Sequence, residues 1–256
     1  MGRALCRAMS RERIPFAVLS RRPDRARRLV PGARVYRLWQ PIERGSPWAT
    51  MMETARAVVH LASPLTGPGR WNHAHRQELY EGCVVGTRCV VSAVAQARSR
   101  PEVLICASST AFYARDRTGE CRYTLPRLWW AASLGMGGAP RPGSQRQPWV
   151  HVDDVVGLVM QALGDGRLAG ALNVVAPHSV TGAEFMGAVR TLGRMVSGVP
   201  QPKWWLRSPL GAGAVMVTNG RGAVAARALE LGYQFRQPRL HAALRHALGR
   251  GTAQRD

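Results

Sequence analysis

The groups in this sequence able to ligate a metal, react as nucleophiles or hold an anion are its histidines, cysteines and basic side chains. Cys6, Cys83, Cys89, Cys106 and Cys121 form an odd set with no Cys-x-x-Cys pair. That pattern predicts reduced, mostly buried thiols rather than a disulfide framework or a zinc site. His73 and His75 are close neighbours, but no third ligand stands near them, so no metal is expected. Lysine and arginine total 36 against 15 acidic residues, a net charge of +21. A field of that sign attracts nucleic acid, anionic lipid or phosphorylated ligands. Lys203 is the only lysine, however, and the arginines are spread along the whole chain. Scattered solvated arginines are therefore favoured over a dedicated nucleic-acid surface.

These groups have to be positioned by a fold, and 256 residues that are 46% hydrophobic suffice for one large domain or a domain with an appendage. A wholly disordered chain is excluded by the same apolar content. No run of 18 apolar residues occurs, and no secretory signal is present, so a cytoplasmic location is expected. The Arg-rich, acid-poor start leaves a mitochondrial one as the alternative.

Ala4, Leu5, Ala8 and Met9 give one apolar stripe, predicting a helix over the first thirteen residues. Strands are predicted at Pro15–Ser20, Ala33–Trp39, Ala57–Ala62, Glu102–Ser109 and Ala171–Ala176. Helices are predicted from about Trp71 to Arg98, after a cap at Asp153 or Asp154, from the Thr181–Glu184 capping box to about Val196, and from Pro238 through Leu248. Alternating helices and β-branched runs indicate an α/β fold with a doubly wound parallel sheet. Between Ala114 and Pro148 the pattern lapses, and only Leu125–Leu134 has the makings of a short helix.

Several segments, in order, resemble the atypical extended short-chain dehydrogenase/reductases of the nucleoside-diphosphate-sugar epimerase-like family. They are Ser20-Arg21-Arg22-Pro23, Val58-Val59-His60-Leu61-Ala62, Arg70-Trp71 with Gly86-Thr87, and Ala107-Ser108-Ser109 with Tyr113. Pro148-Trp149-Val150-His151-Val152-Asp153-Asp154, Asn173-Val174-Val175-Ala176-Pro177 and the tail Gly232-Tyr233-x-Phe235-x-x-Pro238-x-Leu240 complete the set. The resemblance implies a Rossmann-like sheet that binds NAD(P) across the carboxyl ends of its strands, with the pyrophosphate on a helix N-terminus near Gly2. Ser20, Arg21 and Arg22 would end the second strand of such a sheet, where a cation pairs with a 2′-phosphate and so favours NADP over NAD. Leu61, Ala62 and Ser63 would line the adenine–ribose side, and Ser108 the nicotinamide side. Ser109 and Tyr113 would polarise a substrate oxygen during hydride transfer to or from a small molecule. Trp149 and His151 would be a packed aromatic and a structural histidine. The implied organisation is an NAD(P)-binding region over 1–148, a sheet-completing, substrate-side segment over 149–199 and a family-specific region over 200–256.

The chain also departs from that pattern. Met1-Gly2-Arg3-Ala4-Leu5 matches only the last glycine of the Gly-x-x-Gly-x-x-Gly turn and the helix after it. The strand before that turn would lie at the centre of the sheet. Two expectations follow: the flanking strands close up by direct pairing, or the natural protein starts upstream of Met1. Ser63 stands where relatives carry glycine, and Gln40 where they carry an acidic residue. The Tyr-x-x-x-Lys proton-transfer pair is excluded, because Val199 stands four residues before the single lysine. One helix–strand unit is expected to be missing between Tyr113 and Trp149. These losses argue against turnover and leave two alternatives, a non-enzymatic nucleotide- or partner-binding relative and an Arg-rich nucleic-acid-binding protein.

Overall fold

A computed structural model describes residues 1–40, 47–62, 73–108, 143–193 and 223–249. They fall into two compact units. The described part of the first comprises 1–40, 47–62, 73–108 and 155–169, and that of the second 143–154, 170–193 and 223–249.

The first unit is built on parallel strands. β1 (Ala17–Ser20) pairs with β2 (Val35–Leu38), with Ser20 opposite Leu38. β3 (Ala57–His60) pairs with β4 (Val103–Cys106), with His60 opposite Cys106. Because strand side chains alternate, β3 sends Val58 and Val59 to opposite faces. On one face Leu19 and Val58 pack onto Trp39, Trp48, Met52 and Val90. On the other, Val59, Leu61 and Ile105 pack onto Leu5, Val156 and Val159.

Helices cover both faces, as a doubly wound sheet requires. The Val59 face is covered by α1 (Gly2–Arg11) and by α5 (Val152–Ala162), which lends its first turn to the second unit. The Val58 face is covered by α4 (Gly86–Gln96) and the short 3-10 turn Ala49–Thr54. α2 (Pro23–Leu29) joins β1 to β2; Pro23 opens it, where a missing N–H costs nothing. The long helix read from Trp71 to Arg98 is instead α3 (His73–Tyr80), one π turn over Glu81–Val85, and α4.

Four expectations need correction. Among the described residues β1 pairs only with β2 and β3 only with β4. The direct pairing expected between them is thus not formed among these residues; the two pairs share apolar side chains rather than a backbone ladder. Ala171–Ala176 is not a strand, and the backbone bond from Ala176 N–H to Trp149 O, 2.7 Å, is its one link to the segment before α5. The thiols are less buried than expected, since Cys83 and Cys106 are exposed and Cys6 and Cys89 half-buried. Finally, neither Asp153 nor Asp154 caps α5. His151 precedes the helix, and its Nδ1 accepts the Asp153 N–H at 3.2 Å.

In the second unit, β5 (Arg146–Gln147) and β6 (Val180–Thr181) form a short antiparallel pair leading into α6 (Gly182–Gly193). The capping box is formed as read. Thr181 Oγ1 accepts the Glu184 N–H at 3.2 Å, and Glu184 Oε2 accepts the Thr181 N–H at 2.7 Å. α7 (Ala226–Glu230) and α8 (Leu240–Ala247) close the described chain. Leu240 and Leu244 of α8 pack onto Ala188 and Val189 of α6, beside Trp149 and Phe185.

Candidate functional site

The carboxyl ends of the four parallel strands are drawn together by a chain of local contacts. Trp39, just past β2, gives its N–H to Ser20 O at the end of β1, 2.9 Å. Its ring lies 5.9 Å from the ring of His60 at the end of β3. His60 O in turn accepts the Ala107 N–H just past β4, 2.9 Å. One rim therefore carries Ser20-Arg21-Arg22, Leu61-Ala62 and Ala107-Ser108. Such a rim, outside the carboxyl ends of parallel strands, is where open α/β sheets bind ligands.

The predicted residues that are described can be placed one by one. Ser20 Oγ accepts the Arg22 N–H at 3.1 Å, which fixes the turn between β1 and α2. Arg21 and Arg22 are both exposed, and Arg22 is the residue preceding α2. Both residues immediately precede α2, whose N-terminal end carries a partial positive charge. Leu61 is half-buried against the α1–α5 side, whereas Ala62 and Ser108 are exposed. Gly2 opens α1, with open space where a Cβ would stand and no acidic residue in the first turn. Ser63, Ser109 and Tyr113 lie outside the described residues.

Sequence reasoning gave His60 no role of its own. The imidazole is 7% exposed, and its Nε2 has no hydrogen-bond partner among the described residues. Burial holds its pKa below the ordinary histidine value. A strand-end histidine amid apolar residues was the only available signal. The Trp39 contact that encloses it depends on β2, whose place beside β1 sequence alone does not reveal.

The second unit brings together residues that are remote in sequence. Asp154, fully buried, accepts the N–H groups of Arg236 (2.6 Å) and Gln237 (3.1 Å) and the Tyr233 hydroxyl (3.3 Å). Trp149 packs beside α6 and α8 and donates its indole N–H to His178 O at 2.9 Å. His151 is buried at the start of α5, with its Nε2 3.2 Å from Nδ1 of His246. Trp149 packs as expected, and His151 joins the start of α5 to α8.

With this geometry in place, the chain can be set against known proteins. Residues 1–127 match the NAD dependent epimerase/dehydratase family, and residues 201–247 a domain of unknown function, DUF1731. An epimerase family protein SDR39U1 homolog, chloroplastic, from Arabidopsis thaliana is 26% identical over 96% of this chain and 83% of its own length. The Homo sapiens epimerase family protein SDR39U1 is 27% identical over 77% and 83%. Among solved structures, human SDR39U1 with NADPH overlays with a TM-score of 0.80 at 23% identity, covering 96% of this chain and 94% of that one. Thermus thermophilus UDP-glucose 4-epimerase with NAD gives 0.69 at 15% identity, over 97% and 96%. At these identities the two overlays establish the Rossmann-like fold. Among the described residues no helix is long and apolar enough to cross a membrane.

Proposed function

The chain belongs to the NAD dependent epimerase/dehydratase family, with DUF1731 near its C-terminal end, and from that premise we propose that it is an NADP-preferring nucleotide-binding protein of the short-chain dehydrogenase type, its small-molecule substrate undefined. The observation carrying the preference is the exposed Arg21–Arg22 pair between β1 and α2, on the strand-end rim. NAD-selective sites place a carboxylate near this point to hold the ribose hydroxyls, whereas arginine accommodates a 2′-phosphate. The solved SDR39U1 complex, which contains NADPH, is in keeping with this reading.

The residues present fit the cofactor on their own chemistry. Arg21 and Arg22 supply cations, α1 begins at Gly2 with room at its first turn, and the buried His60 Nε2 leaves one polar atom unpartnered beneath the rim. In this reading Leu61, Ala62 and Ser63 flank the adenine–ribose half, and Ser108 the nicotinamide half. When bound, the cofactor would supply a hydride donor or acceptor. Ser109 and Tyr113 would hold and polarise the substrate oxygen. No lysine stands four residues after a tyrosine to lower a phenol pKa, so proton transfer by the usual pair has no counterpart here. That absence favours a second reading, binding without turnover. Cys6 and Cys106 form no disulfide, which suits a reducing compartment, and the cytoplasm is the location proposed.

Thermal-shift titration with NADPH beside NADH tests the binding proposal. A ligand that binds only the folded state at a hundredfold excess over its dissociation constant adds about 2.7 kcal/mol. Stabilisation by NADPH and not NADH is expected; equal shifts, or none from a chain that still melts cooperatively, would remove it. Substrate-dependent NADPH oxidation then separates an enzyme from a binder.

A further inference from the structure

We propose that His151, Asp153 and His246 form a binding site for a divalent transition-metal ion, Zn²⁺ in the first instance, that clamps the last turn of α8 onto the first turn of α5. One ligand atom from each of the three lies within 4.8 Å of the other two. His151 Nε2 and His246 Nδ1 are 3.2 Å apart, and Asp153 Oδ2 is 3.7 Å from His246 Nδ1. Zn–N bonds of about 2.0–2.1 Å at tetrahedral angles place two donor nitrogens about 3.3 Å apart, so the imidazoles already have the required spacing. Two imidazoles and one carboxylate suit zinc and its first-row neighbours, and do not suit magnesium or calcium.

The surroundings favour an ion as well. His151 is buried, with 6% of its side chain exposed, while Asp153 and His246 are 37% and 51% exposed. One wall is therefore fixed and the other open to entry from solvent. The positive end of α5 opposes a cation here, but two features offset it: the Asp153 carboxylate, and the C-terminal end of α8, where His246 occupies the last turn. Without metal, His151 Nδ1 accepts the Asp153 N–H and Nε2–H points at His246 Nδ1. Coordination through Nε2 moves the ring proton to Nδ1 and so releases the Asp153 N–H from that nitrogen, with the Asp153 carboxylate kept as the third donor. The neutral ring stays neutral, so the step conserves protons.

The test is titration of the full chain with ZnCl₂, followed by thermal melting and calorimetry, with MgCl₂ as the control. One-to-one Zn²⁺ binding that raises the melting temperature is expected, with none from Mg²⁺. His246→Ala and Asp153→Asn should each weaken binding about tenfold or more, with far-ultraviolet circular dichroism confirming that both variants fold. In the unmodified chain Co²⁺ should show the visible bands of a nitrogen–oxygen site without thiolate charge transfer. Zn²⁺ should also protect His246 from diethyl pyrocarbonate. Undiminished Zn²⁺ affinity in His246→Ala, a thiolate band placing the ion on a cysteine, or no binding at millimolar Zn²⁺ would each overturn the proposal.

Discussion

The Asp154 carboxylate and the Tyr233 hydroxyl, 79 positions apart in sequence, meet at 3.3 Å in the interior of the second unit. The same carboxyl group accepts the N–H groups of Arg236 and Gln237, so one fully buried side chain ties down the turn before α8. Gly232 enters that turn at φ +77°, a conformation that L side chains rarely adopt. The Gly-Tyr-x-Phe segment is therefore the partner of the Asp153-Asp154 segment: one supplies donors and the other the acceptor.

Replacing Asp154 by alanine leaves those part-buried N–H groups without their acceptor. Each such group costs about 1–3 kcal/mol, so Asp154→Ala should lower unfolding stability by about 3 kcal/mol. Tyr233→Phe, which removes one donor and leaves the backbone bonds in place, should cost about 1 kcal/mol. Urea denaturation of the two variants gives the comparison. Equal costs would mean that the backbone bonds contribute little.

Tyr233 also predicts an alkaline limit. Burial first, and then the Asp154 charge, push its phenol up from 10.0 to about 12. A group whose folded pKa exceeds its unfolded value contributes stability that is complete below the unfolded pKa and disappears as pH rises through the folded one. Stability should therefore fall between pH 10 and about pH 12. That part of the slope should be missing in Tyr233→Phe, as melting temperature against pH would show.

His60 acts at the opposite end of the scale. Burial lowers its pKa below 6.5, so the unfolded chain takes up the proton first as the solution is acidified. The sign is the reverse of the tyrosine case: stability is complete above pH 6.5 and decreases below it. His60→Gln should flatten the dependence of melting temperature on pH below 6.5. A wild-type slope retained in full by the variant would assign it to another group.

Local structure was legible in the sequence wherever the signal itself was local. The α1 stripe, the four parallel strands and the Thr181–Glu184 box each follow from spacing over a few residues. Ala171–Ala176 misled because an apolar β-branched run reports burial, and burial alone does not supply a strand partner. The α5 cap misled for a related reason. Two aspartates at a helix start satisfy the capping rule, yet Asp154 is taken by a segment 79–83 residues downstream and His151 supplies the cap. Of the site, Ser20-Arg21-Arg22 could be placed through its resemblance to known motifs. The enclosure of His60 by Trp39 and the pairing of His151 with His246 depend on long-range packing that no spacing rule encodes.

The proposed preference for NADP rests on the two arginines between β1 and α2, and substitution separates their roles. The Ser20 hydroxyl oxygen accepts the Arg22 backbone N–H, so this bond holds the turn without either guanidinium. Arg21→Ala and Arg22→Ala should therefore leave the melting temperature of the ligand-free chain nearly unchanged. Hydrogen bonds to charged groups contribute about 1.5–3 kcal/mol each, so loss of the guanidinium that contacts the 2′-phosphate should weaken NADPH binding by roughly ten- to a hundredfold. NADH, lacking that phosphate, should bind either variant as it binds the parent chain. Isothermal titration of the two variants with both nucleotides measures this. A parallel loss for NADPH and NADH would mean that the arginines act on the shared pyrophosphate, and the assignment of the 2′-phosphate to this turn would fall.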